Sequence, residues 1–125
     1  MSAYIMVVDD DPNTRQLLHF ILTNAGYAVT DAQDGLEALE KLEKKRPDLI
    51  ILDVLMPNMD GFTTMYHIRA MPHLADLPVI FLSSRADVAA EYSGLAAGAQ
   101  QYLVKPFSVP ILLKHVGDLL AAPTG

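Results

Sequence analysis

Leu49-Ile50-Ile51-Leu52, closed by Asp53 and followed after a short loop by Asp60-Gly61, decides how the rest of the chain is read. The run is too brief for a helix and does not alternate with polar residues, so it is predicted as a strand buried on both faces. Tyr4 to Val8, Tyr27 to Ala32, Val79 to Leu82 and Gln101 to Val104 are equally short and apolar and read as further strands. The longer stretches between them have helical spacing. The first carries Leu17, Leu18, Ile21, Leu22 and Ala25 on one face, and the second Leu36, Leu39 and Leu42. Asp34, Asp60, Asp87 and Ser108 stand where a side-chain oxygen can accept a free backbone N–H at a helix start, while Gly26 and Gly98 suit helix ends. Strict strand-helix alternation with right-handed crossovers predicts an α/β fold, a doubly wound five-stranded parallel sheet of (βα)5 type.

Composition narrows the function. The 125 residues fit one hydrophobic core, and 51% hydrophobic with 19% charged residues predicts a chain that folds unaided. The domain is expected over residues 1–122, with 123–125 as a tail or linker stub. Nine Lys and Arg against fifteen Asp and Glu give a formal charge of −6, which argues against nucleic acid as a direct partner. With no cysteine, thiolate nucleophiles and cysteine zinc sites are excluded. No apolar run approaches the roughly 20 residues that cross a bilayer, and the N-terminus lacks a signal-peptide pattern. A cytoplasmic protein without membrane contact is therefore expected.

The polar residues gather at one place. Asp9, Asp10 and Asp11 follow the first strand, Asp53 ends the third, Ser83 and Ser84 end the fourth, and Lys105 ends the fifth. In open parallel sheets, ligands bind at that carboxyl edge. If the first and third strands are neighbours, as in the flavodoxin-like order 2-1-3-4-5, Asp9, Asp10 and Asp53 converge. Two unit charges about 4 Å apart then repel by about 4 kcal/mol at an effective dielectric of about 20. One lysine cannot balance three ionised carboxylates, so the site either holds protons or recruits a divalent cation. Oxygen-only ligands favour Mg2+, and a Mg2+ site open toward a phosphoryl group is expected.

These residues resemble the receiver domain of bacterial response regulators over nearly the full chain. The likeness is carried by Val7-Val8-Asp9-Asp10, by Leu52-Asp53-Val54-Leu55-Met56-Pro57-Asn58-Met59-Asp60-Gly61, by Val79-Ile80-Phe81-Leu82-Ser83-Ser84 and by the segment from Gly98 to Phe107. The resemblance, rather than the spacing, supplies the strand order. It implies a two-component signalling phosphoacceptor that assists its own phosphorylation and dephosphorylation. In that reading Asp53 accepts a phosphoryl group, Asp10 binds Mg2+ with Asp9 beside it, and Leu55 lends its carbonyl to the metal. Ser83 and Lys105 would bind phosphoryl oxygens, and the Lys105-Pro106 peptide would be cis. Tyr102 would be an aromatic switch coupled to Ser83, with simple packing as its alternative.

The implied partners are a sensor histidine kinase or phosphotransfer protein and, beyond it, a downstream target or an output domain. Both a free-standing receiver and one excised from a longer regulator fit the sequence. The surface formed by the fourth helix, last strand and last helix is expected to signal, and to form a homodimer if one exists. In the last helix, Ile111, Leu112, Leu113, Val116, Leu119 and Leu120 make a stripe that either widens the core face or adds to that surface. Gln100 and Gln101 stand where the winged-helix subfamily often carries acids, against that subfamily's charged dimer contact. Leu55 cannot orient an attacking water and Arg85 is neither acid nor amide, which predicts slow self-dephosphorylation. Leu55 also replaces the second acid of an Asp-nucleophile phosphatase, and the acids after the first strand would repel the phosphate of a flavin. A binding-only pseudo-receiver is opposed by the intact Asp10, Asp53, Ser83 and Lys105. Asp60 and Gly61 are read as helix cap and start, and His19, His67, His73 and His115 lack ligand spacing.

Overall fold

All four residues of Leu49–Leu52 are buried on both sides of a five-stranded parallel sheet, as their unbroken apolar character requires. A computed structural model describes residues 3–85 and 87–121. In chain order the elements are β1 (Tyr4–Val8), α1 (Pro12–Asn24), β2 (Ala28–Ala32), α2 (Gly35–Lys44), β3 (Leu49–Leu52) and α3 (Gly61–Ala70). There follow a 3-10 turn (Pro72–Leu74), β4 (Val79–Ser83), α4 (Val88–Ala96), β5 (Gln101–Val104) and α5 (Val109–Ala121).

The strand order is β2-β1-β3-β4-β5, with every pair parallel. Alternate residues of each strand serve opposite faces. Met6, Val8, Ile50, Leu52, Val79 and Phe81 pack with Ala38 and Leu42 of α2 and Met65 and Ile68 of α3. Ile5, Val7, Leu49, Ile51, Ile80 and Leu82 pack with Leu18 and Leu22 of α1 and Leu112 and Val116 of α5. Register then places the site. Val8 pairs with Leu52, so the residues that follow them, Asp9 and Asp53, leave the sheet side by side.

The helix starts form as their side chains dictate. Asp11, Asp34, Asp60 and Asp87 accept from the backbone N–H groups of Asn13, Glu37, Thr63 and Ala90, and Ser108 Oγ accepts from Ile111. Gly26 and Gly98 follow the C-caps of α1 and α4 with φ of +97° and +103°, a region that a Cβ disfavours.

Some expectations shift. β2 begins at Ala28 rather than Tyr27, and β4 runs one residue further, taking Ser83 into the sheet. Leu17, Ala25 and Leu36 leave the expected apolar faces for solvent. The stripe of α2 turns instead onto Gly35, Ala38 and Leu42, because a Cβ at Gly35 would stand 2.2 Å from Thr64 Oγ1 of α3 and only glycine permits that approach. The apolar excess of α5 is mostly core: Leu112 and Val116 are buried, Leu113, Leu119 and Leu120 pack against them, and Ile111 remains exposed. Residues 123–125, the expected tail, lie outside the described residues.

Candidate functional site

The carboxyl edge of β1, β3, β4 and β5 assembles the polar groups. Asp9 is 2% exposed and Asp53 5% exposed, while Asp10 is open to solvent. Each of the three offers a carboxylate oxygen, and those oxygens lie within 4.8 Å of one another. Lys105, just past β5, reaches in from the other side. Its Nζ donates to Asp9 Oδ2 at 2.7 Å and stands 3.7 Å from Asp53 Oδ2. The Asp11 N–H donates to Asp9 Oδ1 at 2.9 Å, so both oxygens of Asp9 are engaged. Asp11 otherwise caps α1, a local role.

Asp53 is left short of partners. Its Oδ1 is buried and accepts no hydrogen bond from the described residues. Burial pushes its pKa up to about 6, with the neighbouring Asp9 charge adding to the rise and Lys105 opposing it. Lys105 is itself partly desolvated, but its hydrogen bond to Asp9 and the attraction of Asp53 outweigh that and raise its pKa. The Asp10 carboxylate has no protein partner among the described residues. An orphaned buried oxygen, a free exposed carboxylate and a third acid beside them match the all-oxygen donor set of a hard divalent cation.

Ser83, at the end of β4, is fully buried, and its carbonyl accepts from the Lys105 N–H at 2.8 Å. Its Oγ accepts from the Arg85 N–H at 3.1 Å, which leaves the hydroxyl proton to be donated. Tyr102 donates from its hydroxyl to the Arg85 carbonyl at 2.8 Å, and its ring packs 6.0 Å from that of Phe81. Ser83 and Tyr102 thus hold Arg85 at its N–H and its carbonyl. A Cβ at Gly94 would lie 2.9 Å from the Tyr102 ring, so α4 closes on this ring through a glycine. The Leu55 side chain points to solvent two residues past Asp53. The Lys105-Pro106 bond is cis.

Two contributions to the site were not read from the sequence, a second role for Gly61 and the place of Arg15. Asp60 and Gly61 do cap and start α3, yet a Cβ at Gly61 would lie 2.2 Å from the Asp53 carbonyl oxygen, so the glycine also lets α3 seat against the acid's own main chain. Arg15, in α1, donates from Nη1 to the Asp9 carbonyl at 2.7 Å. The available signal was its place near a helix N-terminus, where the macrodipole disfavours a cation that has no other partner. None of the histidines joins the acid cluster.

The sequence and the fold have known relatives. The family described as response regulator receiver domain matches residues 5–117. Response regulator MprA of Mycobacterium ulcerans is 43% identical over 96% of this chain, which spans about half the length (51%) of that relative. The chemotaxis protein CheY4 of Vibrio cholerae superposes with a TM-score of 0.90 at 38% identity, covering 95% of this chain and 99% of that one. The receiver domain of a Pseudomonas aeruginosa sensor histidine kinase, solved with a magnesium ion coordinated in its active site cleft, gives a TM-score of 0.90 at 30% identity. It covers 98% of this chain and 100% of its own.

Proposed function

This chain belongs to the response regulator receiver domain family, and from that premise we propose that Asp53 is its phosphoacceptor, charged by the phosphohistidine of a sensor histidine kinase or phosphotransfer protein. The observation that carries the assignment is the buried, half-unpartnered Asp53 carboxylate facing Asp9, Asp10 and Lys105 at the sheet edge. The ionised Asp53 oxygen attacks phosphorus, the new O–P bond forms as the P–N bond to histidine breaks, and the electron pair leaves on the imidazole. No general base is needed, because the nucleophile carries no proton. Asp9, Asp10, Asp53 and the Leu55 carbonyl would hold Mg2+, which supplies positive charge to the acids and to the phosphoryl oxygens. The Lys105 ammonium pairs with one phosphoryl oxygen and the Ser83 hydroxyl donates to another.

The Ser83-Arg85-Tyr102 connection supports a switch. Drawing Ser83 toward a phosphoryl oxygen disturbs the residue whose carbonyl holds the Tyr102 hydroxyl, and so changes the α4-β5-α5 face. A shift from 1:99 to 99:1 needs about 5.5 kcal/mol, and two charge-assisted hydrogen bonds of about 1.5 to 3 kcal/mol each supply much of it. Leu95, Val104 and Ile111 keep apolar surface exposed on these elements for a downstream target, an output domain or a second copy. No helix among the described residues is long and apolar enough to cross a membrane. The proposed receiver unit occupies residues 1–122.

The test is intact mass after incubation with Mg2+ and a small phosphodonor. Wild type is expected to gain one phosphoryl group, and Asp53→Asn or chelated protein none; a gain that persists in either contradicts the assignment. The acyl phosphate is also expected to be long-lived, because the Leu55 side chain cannot orient a water. Leu55→Asn should shorten the half-life roughly fivefold, the order of one net hydrogen bond. An unchanged decay of labelled protein would remove Leu55 as the cause.

A further inference from the structure

We propose that Arg15 is a positioning residue for the divalent-cation site, anchored by Asp31; the inference rests on the phosphoacceptor reading above. The Asp9 carbonyl belongs to the peptide that joins Asp9 to Asp10, and Arg15 Nη1 donates to it at 2.7 Å. Asp10 has no side-chain partner among the described residues, so what places its carboxylate within reach of the cation is the position of its backbone, which that peptide plane sets. The Asp9 side chain is tethered by Asp11 and Lys105, and its N–H donates to the Ala32 carbonyl at 3.2 Å. Arg15 supplies the remaining restraint, on the side of the peptide that carries Asp10.

Arg15 is built in rather than loosely placed. Its side chain is 18% exposed, and Nε lies 3.7 Å from Asp31 Oδ2 at the end of the neighbouring strand β2. The Asp31 carbonyl in turn accepts from Lys41 Nζ of α2. One guanidinium thus spans two groups through two different nitrogens, which a lysine ammonium cannot reproduce from a single point. Groups that orient metal ligands from behind typically change affinity by about 10- to 100-fold when removed.

Charge alone predicts the opposite sign, and this makes the proposal testable. Removing a cation beside three carboxylates strengthens cation binding by Coulomb's law, whereas removing a positioning group weakens it. Binding of Mn2+ to the unphosphorylated full chain, read from the free-ion electron paramagnetic resonance signal with Mg2+ as competitor, separates the two. Arg15→Met is expected to weaken Mn2+ binding roughly tenfold, and Arg15→Lys to restore only part of it. Asp31→Asn should weaken binding in the wild-type background and have no effect when Arg15 is already Met. Thermal unfolding in chelator checks the fold of each variant, and if Arg15→Met fails to fold, the Asp31→Asn and Arg15→Lys pair carries the test. Unchanged or tighter binding in the Arg15 variants, or an equal Asp31→Asn loss in both backgrounds, overturns the proposal and leaves the phosphoacceptor reading standing. No Mn2+ binding by wild type overturns both.

Discussion

Without divalent cation at pH 7, Asp53→Asn should be more stable than wild type by about 2 kcal/mol, or roughly 6 to 10 °C in the unfolding midpoint. Asp53 is 5% exposed, one of its oxygens lacks a partner, and the Asp9 charge lies beside it. Its pKa is raised from 3.8 to about 6, first by burial and then by Asp9. A raised folded-state pKa means that the native protein holds this proton more tightly than the unfolded chain does. Stability is therefore fully present below about pH 4 and is lost as pH climbs through about 6. The interval corresponds to about 3 kcal/mol, part of which the buried amide of Asn gives back. Melting curves in chelator from pH 4 to pH 8 should show the variant slightly less stable than wild type at the acid end, by the amide cost of about 1 kcal/mol, and more stable above about pH 6. Saturating Mg2+ should close the gap, because the cation binds the ionised acids of wild type more tightly than those of the variant. Equal stability at pH 7 in chelator would show that Asp53 is not strained by its surroundings.

Lys105→Met should move stability the other way, by about 3 kcal/mol at pH 7. The lysine side chain is 23% exposed and is the cation that faces both buried acids. Its removal leaves Asp9 and Asp53 facing each other uncompensated, the situation in which breaking a buried ion pair is most damaging. The raised pKa of Lys105 keeps this contribution in place through the neutral range, and it is lost only as pH rises past the ordinary lysine value of 10.5. In the variant the loss should shrink on acidification, as protonated Asp53 no longer needs a counter-charge and only the contact to Asp9 is still missing. The double variant Lys105→Met, Asp53→Asn should recover most of the stability. Additive effects of the two substitutions would mean that the acids and the lysine do not share one electrostatic site.

How much of this was legible depends on how local the cause is. Leu49–Leu52 announces a doubly buried strand by its own composition, and Asp34, Asp60 and Asp87 cap the helices they precede, because both effects act within a few residues. The convergence of Asp9, Asp10 and Asp53 follows from parallel strands ending at one edge, once β1 and β3 are neighbours. Leu36 misled because helical period alone gives the stripe, not its rotation. The close approach of Gly35 to Thr64 turns that rotation toward Ala38 and Leu42. Gly61 and Arg15 act on Asp53 and Asp9 through backbone atoms, and contacts to backbone carry no residue pattern to read. Tyr102 packs its ring against Phe81, as the packing alternative expects, and its hydroxyl is tied to the Arg85 carbonyl, a contact to backbone that the sequence does not announce.

The most direct test is to trap the acyl phosphate itself. Protein charged by a small phosphodonor in Mg2+ is reduced with borohydride, which converts an aspartyl phosphate to homoserine, and the peptides are then mapped by mass. Homoserine at position 53 alone is the expected result. Reduction at position 9 or 10 instead, or none at position 53 while the phosphoryl mass is present, would contradict it.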